Sequence, residues 1–150
     1  MPDSIMRSVD LNSNKTNYYI LDAKYYKYGI YPERGENVLP QASDIIKQIA
    51  YGDYISNELK KEKHDITFST YNAFLSPFDS LNNKFETSEK MFYAGKSFFT
   101  KERNNQSKHQ EVHLILIDTK WLIENYARDI ELISQIRQKL IGLIDNDQNK

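Results

Sequence analysis

Cysteine is absent from the 150 residues of this chain. Its absence excludes disulfide bonds, thiolate zinc sites and cysteine nucleophiles, and it fits a reducing, cytoplasmic location. Glycine is scarce, with 5 residues, so a glycine-rich phosphate-binding loop is not expected. No stretch approaches the ~20 consecutive apolar residues of a membrane span, and the first residues lack a signal-peptide pattern. We therefore expect no membrane partner.

The charges of the chain are nearly balanced, with 20 basic and 21 acidic residues and a formal net charge of −1. This balance excludes a histone-like, strongly cationic protein, but it leaves room for a local basic patch that binds nucleic acid. Hydrophobic residues make up 39% of the chain, which is enough for one core at this length. We therefore expect a single domain over residues 1–150.

Turn residues and apolar periodicity divide the chain into strands and helices. The pattern predicts a helix from Ser43 to about Lys61, with an apolar stripe of Ile45, Ile46, Ile49, Ile55 and Leu59. It also predicts one long helix after Asp118, with an apolar stripe of Leu122, Tyr126, Ile130, Ile133, Ile136, Leu140 and Leu143. The predicted strands are 5–11 and 18–26, paired as a hairpin across the Asn-rich turn 12–17, then 66–75, which ends before Pro77, 91–95 and 112–118. This order predicts the α/β (mixed α+β) fold class, a mixed sheet flanked by helices. Trp121 is expected in the core.

Two acids and a lysine are expected to meet at one end of the predicted hairpin. Alternate side chains of a strand share a face, so Asp22 and Lys24 project together. A register in which partner numbers add up to about 28 places Asp3 roughly opposite Tyr25, close to both. Two adjacent carboxylates repel each other unless a cation lies between them, and oxygen ligands favour a hard divalent ion, Mg²⁺ first.

The first predicted helix carries a polar face. Positions three, four and seven residues apart lie on the same side of a helix. This spacing joins Asp44, Lys47, Gln48 and Tyr51. The face can therefore turn toward the end of the hairpin.

These residues resemble a known nuclease pattern. Pro2-Asp3 followed by Asp22-Ala23-Lys24 is similar to the signature of the PD-(D/E)xK nuclease superfamily. The strand that ends Asp22-Ala23-Lys24-Tyr25-Tyr26 and the helix with Asp44, Lys47, Gln48 and Tyr51 resemble restriction endonucleases of the LlaJI type and related modification-dependent systems. The dense likeness covers residues 2–51, about a third of the chain.

The resemblance implies a restriction-endonuclease-like fold and Mg²⁺-dependent hydrolysis of phosphodiester bonds in double-stranded DNA. It implies that Asp3, Asp22 and the Ala23 carbonyl hold the metal. Lys24 then positions and polarises the attacking water, and the metal stabilises the charge that builds on the phosphate. Gln48 orients the lysine, the water or the scissile phosphate.

Basic residues are candidates for contacts to DNA phosphates, which supply most of the affinity for DNA. Lys47 lies on the polar helix face, and Lys96, Lys101 and Arg103 surround a polar stretch near residues 100–110. The basic residues of that stretch also fit a solvated loop without a ligand.

The chain departs from the superfamily pattern at its beginning. The Pro-Asp pair occupies the second and third residues, where a preceding helix with a metal-assisting Glu is usual. We therefore expect a nuclease domain without that helix and without a target-recognition region, as the carboxy-terminal part of a longer enzyme. A split reading frame, or a minimal nuclease completed by a homodimer or a companion subunit, are the alternatives.

Each candidate residue also has a simpler interpretation. Asp22 and Lys24 fit an ion pair at a strand end, Asp44 fits a helix N-terminal charge, and Tyr51 fits packing. Asp10 is a rival for the first acid. The alternative function is a catalytically inactive DNA-binding or subunit-interaction module of the same fold, and a nuclease acting on RNA or branched DNA is a third.

Overall fold

The computed structural model describes residues 1–11, 13–26, 28, 39–62, 67–83, 85–98, 108–126 and 130–147. These residues contain β1 (Ser4–Asp10), β2 (Lys15–Ala23), α1 (Ala42–Glu62), β3 (Phe68–Phe78), β4 (Met91–Phe98), a 3₁₀ turn (Lys108–Gln110), β5 (Glu111–Asp118), α2 (Thr119–Tyr126) and α3 (Ile130–Asp147). Every helix in these ranges lacks the length or the hydropathy of a transmembrane segment.

The five strands form one sheet in the order β1-β2-β3-β5-β4. β1 and β2 are antiparallel. β2 and β3 run in the same direction, because Thr16 N–H donates to the Thr67 carbonyl at 3.1 Å and Lys24 N–H donates to the Leu75 carbonyl at 2.8 Å. Since α1 connects these two parallel strands, β2, α1 and β3 form a crossover unit. The predicted mixed α+β fold class with a mixed sheet is confirmed.

The hairpin register differs from the predicted one. Ser4 pairs with Leu21 and Asp10 pairs with Lys15, so partner numbers add up to 25. The turn is also tighter than the predicted turn 12–17, because Lys15 already belongs to β2. Asn14 adopts a φ of 51°, a left-handed conformation that asparagine tolerates better than most residues. In this register Asp3 lies opposite Asp22, three positions away from the predicted partner Tyr25.

β3 continues through Pro77, where we expected a strand end. Proline cannot donate a backbone hydrogen bond, so it is excluded from strand positions whose N–H is needed. Leu75 bonds toward β2, and Pro77, two residues later, faces the same side. β2 has already ended at Ala23, so the missing N–H of Pro77 breaks no bond within the paired length of β2.

The predicted long final helix is two helices, α2 and α3. Its predicted apolar stripe is wrong in the middle, because Ile130 is 87% exposed and Ile133 is 37% exposed. Within α3, the buried apolar side chains are instead Leu140 and Ile144. The prediction assumed one continuous helix, in which residues at steps of three and four share a face. Because α2 and α3 are separate helices, that spacing does not place their apolar residues on a common face.

The chain divides into two compact units. The first comprises Met1–Ala23, Pro40–Phe74 and Lys96–His113, and the second comprises Lys24–Leu39, Leu75–Gly95 and Leu114–Lys150. The buried core of the first unit includes Tyr19, Ile20, Tyr71, Ala73 and Val112, with the Tyr19 and Tyr71 rings stacked at 5.1 Å. That of the second includes Phe78, Met91, Ile115, Leu116 and Ile144.

Candidate functional site

The end of the hairpin brings together the two acids that the sequence singled out. The Oδ2 atom of Asp3 accepts a hydrogen bond from the Ala23 backbone N–H at 2.8 Å. Carried one residue beyond Ser4 and Leu21, the strand register places Asp3 opposite Asp22, on the same face of the hairpin. The Asp22 side chain is buried, with 7% of its surface exposed. This register therefore places the two acids opposite each other, whereas the predicted register placed Asp3 opposite Tyr25.

Asp10, the rival for the first acid, lies at the other end of the hairpin. It pairs with Lys15, next to the turn, and its Oδ2 atom accepts a hydrogen bond from the Ser13 hydroxyl at 2.5 Å. The register separates it from Asp22 by almost the whole length of β1. Asp3 is therefore the acid that accompanies Asp22.

Lys24 follows Ala23 directly along the chain and is the first residue after β2. Its side chain is half-buried. Its backbone N–H donates to the Leu75 carbonyl at 2.8 Å, so the main chain at Lys24 remains held to β3. The position of this residue is thereby fixed by the strand rather than by a free loop.

Gln48 of α1 lies over β2, close to the acids. Its side chain is 1% exposed, and its Nε2 atom donates to the Ile20 carbonyl at 3.0 Å and to Asn72 Oδ1 at 3.5 Å. Ile20 is two residues before Asp22. The Oε1 atom of Gln48 is buried and has no hydrogen-bond partner among the described residues. Because an unpaired buried acceptor is costly, this oxygen is a candidate contact for a ligand or a water.

Gly52 allows α1 to approach the sheet closely. A Cβ atom at this position would lie 2.6 Å from Asn72 Nδ2 and 2.8 Å from the Cβ of His109. The buried residues of α1 are Gln48, Gly52 and Ser56, at steps of four, whereas Ile46 of the predicted apolar stripe is 49% exposed. The helix therefore packs on the sheet through small and polar residues.

A polar network that the sequence did not reveal holds this packing in place. The two ring nitrogens of His109 lie 2.7 Å from Asp53 Oδ1 and 3.0 Å from Thr70 Oγ1. Asn72 Nδ2 donates to the His109 carbonyl at 2.5 Å. His109, Thr70 and Asn72 are buried. The available signal was the pair of polar residues two apart, Thr70 and Asn72, on one face of β3.

The remaining residues of the predicted polar helix face are more exposed than Gln48. Lys47 Nζ lies 5.6 Å from the centre of the Tyr51 ring, and the amino nitrogen of Met1 lies 3.1 Å from the Tyr51 hydroxyl. The hydrogen bond from that amino group and the nearby Lys47 lower the pKa of Tyr51. Asp44 is half-buried in the first turn of α1.

The predicted DNA-contacting lysines have different surroundings. Lys47 is exposed. Lys96 Nζ lies 3.1 Å from Glu111 Oε2, so its charge is already paired with a carboxylate. Lys101 and Arg103 lie outside the described residues.

The donor set at the hairpin end fits a hard divalent cation. Asp3, Asp22 and the Ala23 carbonyl offer oxygen atoms alone, the ligand type that Mg²⁺ prefers. Asp3 uses one carboxylate oxygen for Ala23 N–H, and it has a second. A cluster of three or more His, Asp or Glu side chains suited to a metal is not found in the part of the chain that the structure describes. A metal site here would therefore rest on two carboxylates and main-chain oxygen.

Another buried acid, Asp118, lies in the second unit and is fully occupied by donors. Its Oδ2 atom accepts hydrogen bonds from Ser80 Oγ at 2.5 Å and Lys90 Nζ at 2.9 Å, and its Oδ1 atom caps α2 through Trp121 N–H at 3.1 Å. Burial raises the pKa of Asp118, but these donors outweigh it and lower the pKa to about 2. Asp118 is thus a structural anion that joins β5 to α2.

Comparison with known proteins identifies the family of this chain. A family model described as LlaJI restriction endonuclease matches residues 1–91, which include Asp3, Asp22, Lys24 and Gln48. No curated protein and no solved structure matches the chain. Because the family match spans more than half of the 150 residues, this chain belongs to the LlaJI restriction endonuclease family.

Proposed function

We propose that this chain is the nuclease part of a restriction endonuclease and hydrolyses phosphodiester bonds of double-stranded DNA with Mg²⁺. The observation that carries the proposal is the contact of Asp3 Oδ2 with Ala23 N–H at 2.8 Å, directly beside Asp22. It unites the two halves of a PD-(D/E)xK signature that are nineteen positions apart in the chain. The family match over residues 1–91 supports the same conclusion.

Asp3, Asp22 and the Ala23 carbonyl would hold the metal. Bound Mg²⁺ would supply stabilisation of the negative charge that develops on the scissile phosphate. The hydrogen bond from Ala23 N–H fixes the Asp3 carboxylate against β2, so the oxygen donors are held in place by the strand pairing before a ligand arrives. Such preorganisation lowers the cost of binding a cation between like charges.

Lys24 and Gln48 would act on the water and the phosphate. Lys24 carries an ammonium group, which can donate to the attacking water and attract the phosphate. Gln48 is anchored through Nε2, and its Oε1 atom accepts no hydrogen bond in the part of the chain described. This oxygen would accept a hydrogen bond from the lysine or the water and so orient it.

DNA would reach this site along a surface that includes α1. Lys47 is exposed one position before Gln48 and would contact a phosphate near the scissile one. Lys96, Lys101 and Arg103 are proposed as further phosphate contacts. Because Lys96 is bonded to Glu111, DNA would have to compete with that carboxylate, and we expect a smaller contribution from Lys96 than from Lys47.

The test is cleavage of a long linear duplex DNA in about 10 mM Mg²⁺. This concentration should roughly saturate a site that binds a hard cation weakly. Asp22→Ala and Lys24→Ala should each reduce the cleavage rate by about 100-fold or more, the size expected when a group that stabilises developing charge is lost. Asp10→Ala is the matched control, an acid of the same hairpin at its other end, and it should cleave like the wild type.

Unchanged cleavage by both variants would contradict the proposed site. DNA binding without any cleavage, by a wild-type chain that takes up no Mg²⁺, would instead support the catalytically inactive module. The assay should include the chain at several concentrations, because a rate that rises with the square of the concentration would identify a homodimer as the active form.

A further inference from the structure

A cavity of about 430 Å³ opens in the second unit beside the start of α2. Its apolar wall is formed by Phe78, Leu81 and Trp121. The rest of the lining is polar and consists of Asp79, Lys90, Asp118, Thr119, Lys120 and Glu124. The volume lies within the ~300–1,000 Å³ range of pockets that hold small molecules. None of the residues proposed for the nuclease chemistry lines this cavity.

Part of the charged lining is neutralised within the protein. Lys90 Nζ donates to Asp118 Oδ2 at 2.9 Å and to Ser80 Oγ at 2.6 Å, and Asp118 caps α2 through its second oxygen. These groups hold one another in a closed cluster. They therefore shape the cavity wall, and they do not determine the charge of a ligand.

The first turns of α2 present a different set of groups. Trp121 and Glu124 are three residues apart, and Lys120 and Glu124 are four apart, so all three lie on neighbouring positions of one helix side. The side chains of Lys120 and Glu124 form no hydrogen bond or ion pair within the described residues, although their spacing permits one. The Trp121 ring, which is half-exposed, has no aromatic neighbour within the described ranges.

We propose that this cavity binds a nucleotide whose base carries an exocyclic amino group. An indole ring in an open cavity is a surface on which a base stacks, an interaction that any planar heteroaromatic base can make. Glu124 beside the ring accepts a hydrogen bond from the amino group of adenine, cytosine or guanine. Lys120 on the other side attracts the phosphate. Thymine has no such amino group, so it should bind more weakly.

The test uses the intrinsic fluorescence of Trp121, which is the single tryptophan of the 150 residues. The probes are dAMP, dCMP and dTMP, titrated into the Asp22→Asn variant without metal, so that a failure of the proposed nuclease chemistry leaves this result unaffected. We expect saturable quenching, with dTMP weaker than dAMP and dCMP by about threefold to tenfold, the contribution of one hydrogen bond.

Two variants and a matched control make the test specific. Glu124→Ala should remove the preference for dAMP and dCMP over dTMP. Lys120→Ala should weaken all three nucleotides by about threefold to tenfold, as loss of a charged hydrogen-bond donor predicts, and should leave the nucleosides unchanged. Lys60→Ala, an exposed lysine at the end of α1, should bind like the parent protein.

The source of the nucleotide is decided by a second titration. A 5′-phosphorylated single-stranded 10-mer that binds more tightly than the mononucleotides would identify a strand of the DNA substrate, and equal or weaker binding would identify free nucleotides. Quenching that does not saturate, or that is the same in Lys120→Ala, Glu124→Ala and Lys60→Ala, would overturn the proposal and indicate collisional contact alone.

Discussion

Asp22 at the end of β2 and Asp118 at the end of β5 are both buried acids at the carboxyl ends of strands, yet their surroundings differ. Asp118 accepts hydrogen bonds from a hydroxyl, an ammonium and a backbone N–H. The residue that faces Asp22 in the hairpin register is another acid, Asp3, which is itself bonded to a neutral amide. Named donors stabilise the Asp118 carboxylate within the fold. The Asp22 carboxylate differs in that it lies opposite a like charge, which a cation would offset.

The largest expected difference between the two acids concerns stability. Asp118→Asn should lower the free energy of unfolding by about 2–4 kcal/mol, because Lys90 and Ser80 lose a charged acceptor that is buried. Asp22→Asn should change the free energy of unfolding by no more than about 1 kcal/mol, because it also relieves repulsion from Asp3. Urea unfolding followed by circular dichroism measures both.

The opposite ranking of the two losses in stability would contradict this difference between Asp22 and Asp118. If Asp22→Asn destabilises the protein more than Asp118→Asn does, then Asp22 supports the fold and its pairing with Asp3 is structural. Lys90→Met is a useful companion variant, because it removes the ammonium and leaves the Asp118 carboxylate with Ser80 and Trp121 N–H. It should destabilise the protein less than Asp118→Asn, since Lys90 is partly exposed.

The pH dependence of stability should also identify Asp118. Its pKa is lowered from 3.8 to about 2 in the folded protein, so the ionised carboxylate favours the folded state. This contribution is fully present above about pH 4 and is lost as the pH falls through about 2. A shift of this size corresponds to about 2 kcal/mol. Unfolding curves at pH 5, 3 and 2 should show the loss in the wild type and a smaller one in Asp118→Asn. Parallel curves for the two proteins would contradict this assignment.

A substitution at Gly52 tests the hairpin site separately from the two acids, because this glycine brings α1 and Gln48 close to them. Alanine favours a helix over glycine by about 1 kcal/mol, but its Cβ would lie 2.6 Å from Asn72 Nδ2. Overpacking of this kind costs about 1–3 kcal/mol, so Gly52→Ala should destabilise the protein by about 1 kcal/mol net. It should also reduce cleavage, whereas Asp118→Asn should not at temperatures where it remains folded.

Gly142→Ala is the matched control for this effect. Gly142 lies within α3, and a Cβ atom there would have no heavy atom within 4 Å. The substitution should therefore raise the free energy of unfolding by about 0.5–1 kcal/mol and leave cleavage unchanged. If Gly52→Ala also raised the free energy of unfolding, α1 would be able to move away from the sheet without destabilising the protein.

The hairpin and its acids were accessible to sequence reasoning, and the register was not. A segment rich in tyrosine, isoleucine and leucine predicts β2. The Pro-Asp and Asp-x-Lys motifs indicate where the acids are expected to meet. The register depends on the backbone angle of Asn14, which composition does not determine. Both the predicted and the observed register end near the same residues, so Asp3 lies close to the end of β2 in each.

The packing of α1 was predicted wrongly for a physical reason. Apolar periodicity identifies the helix, but its buried line consists of Gln48, Gly52 and Ser56, which hydropathy places outside the core. These residues are buried because Asn72 and the His109 carbonyl bond each other beneath the helix and because glycine leaves room for them. Hydropathy likewise places Trp121 in the core, but this residue is half-exposed at a cavity.

The central claim is that Asp3 and Asp22 together bind a divalent cation. Isothermal titration of Mg²⁺ and Mn²⁺ into the wild type, Asp3→Asn, Asp22→Asn and Asp10→Asn tests it without reliance on cleavage. We expect one binding site in the wild type and in Asp10→Asn. Asp3→Asn and Asp22→Asn should each lose at least about tenfold in affinity, the fall expected when one charged ligand is removed. Equal metal binding by all four proteins would contradict it.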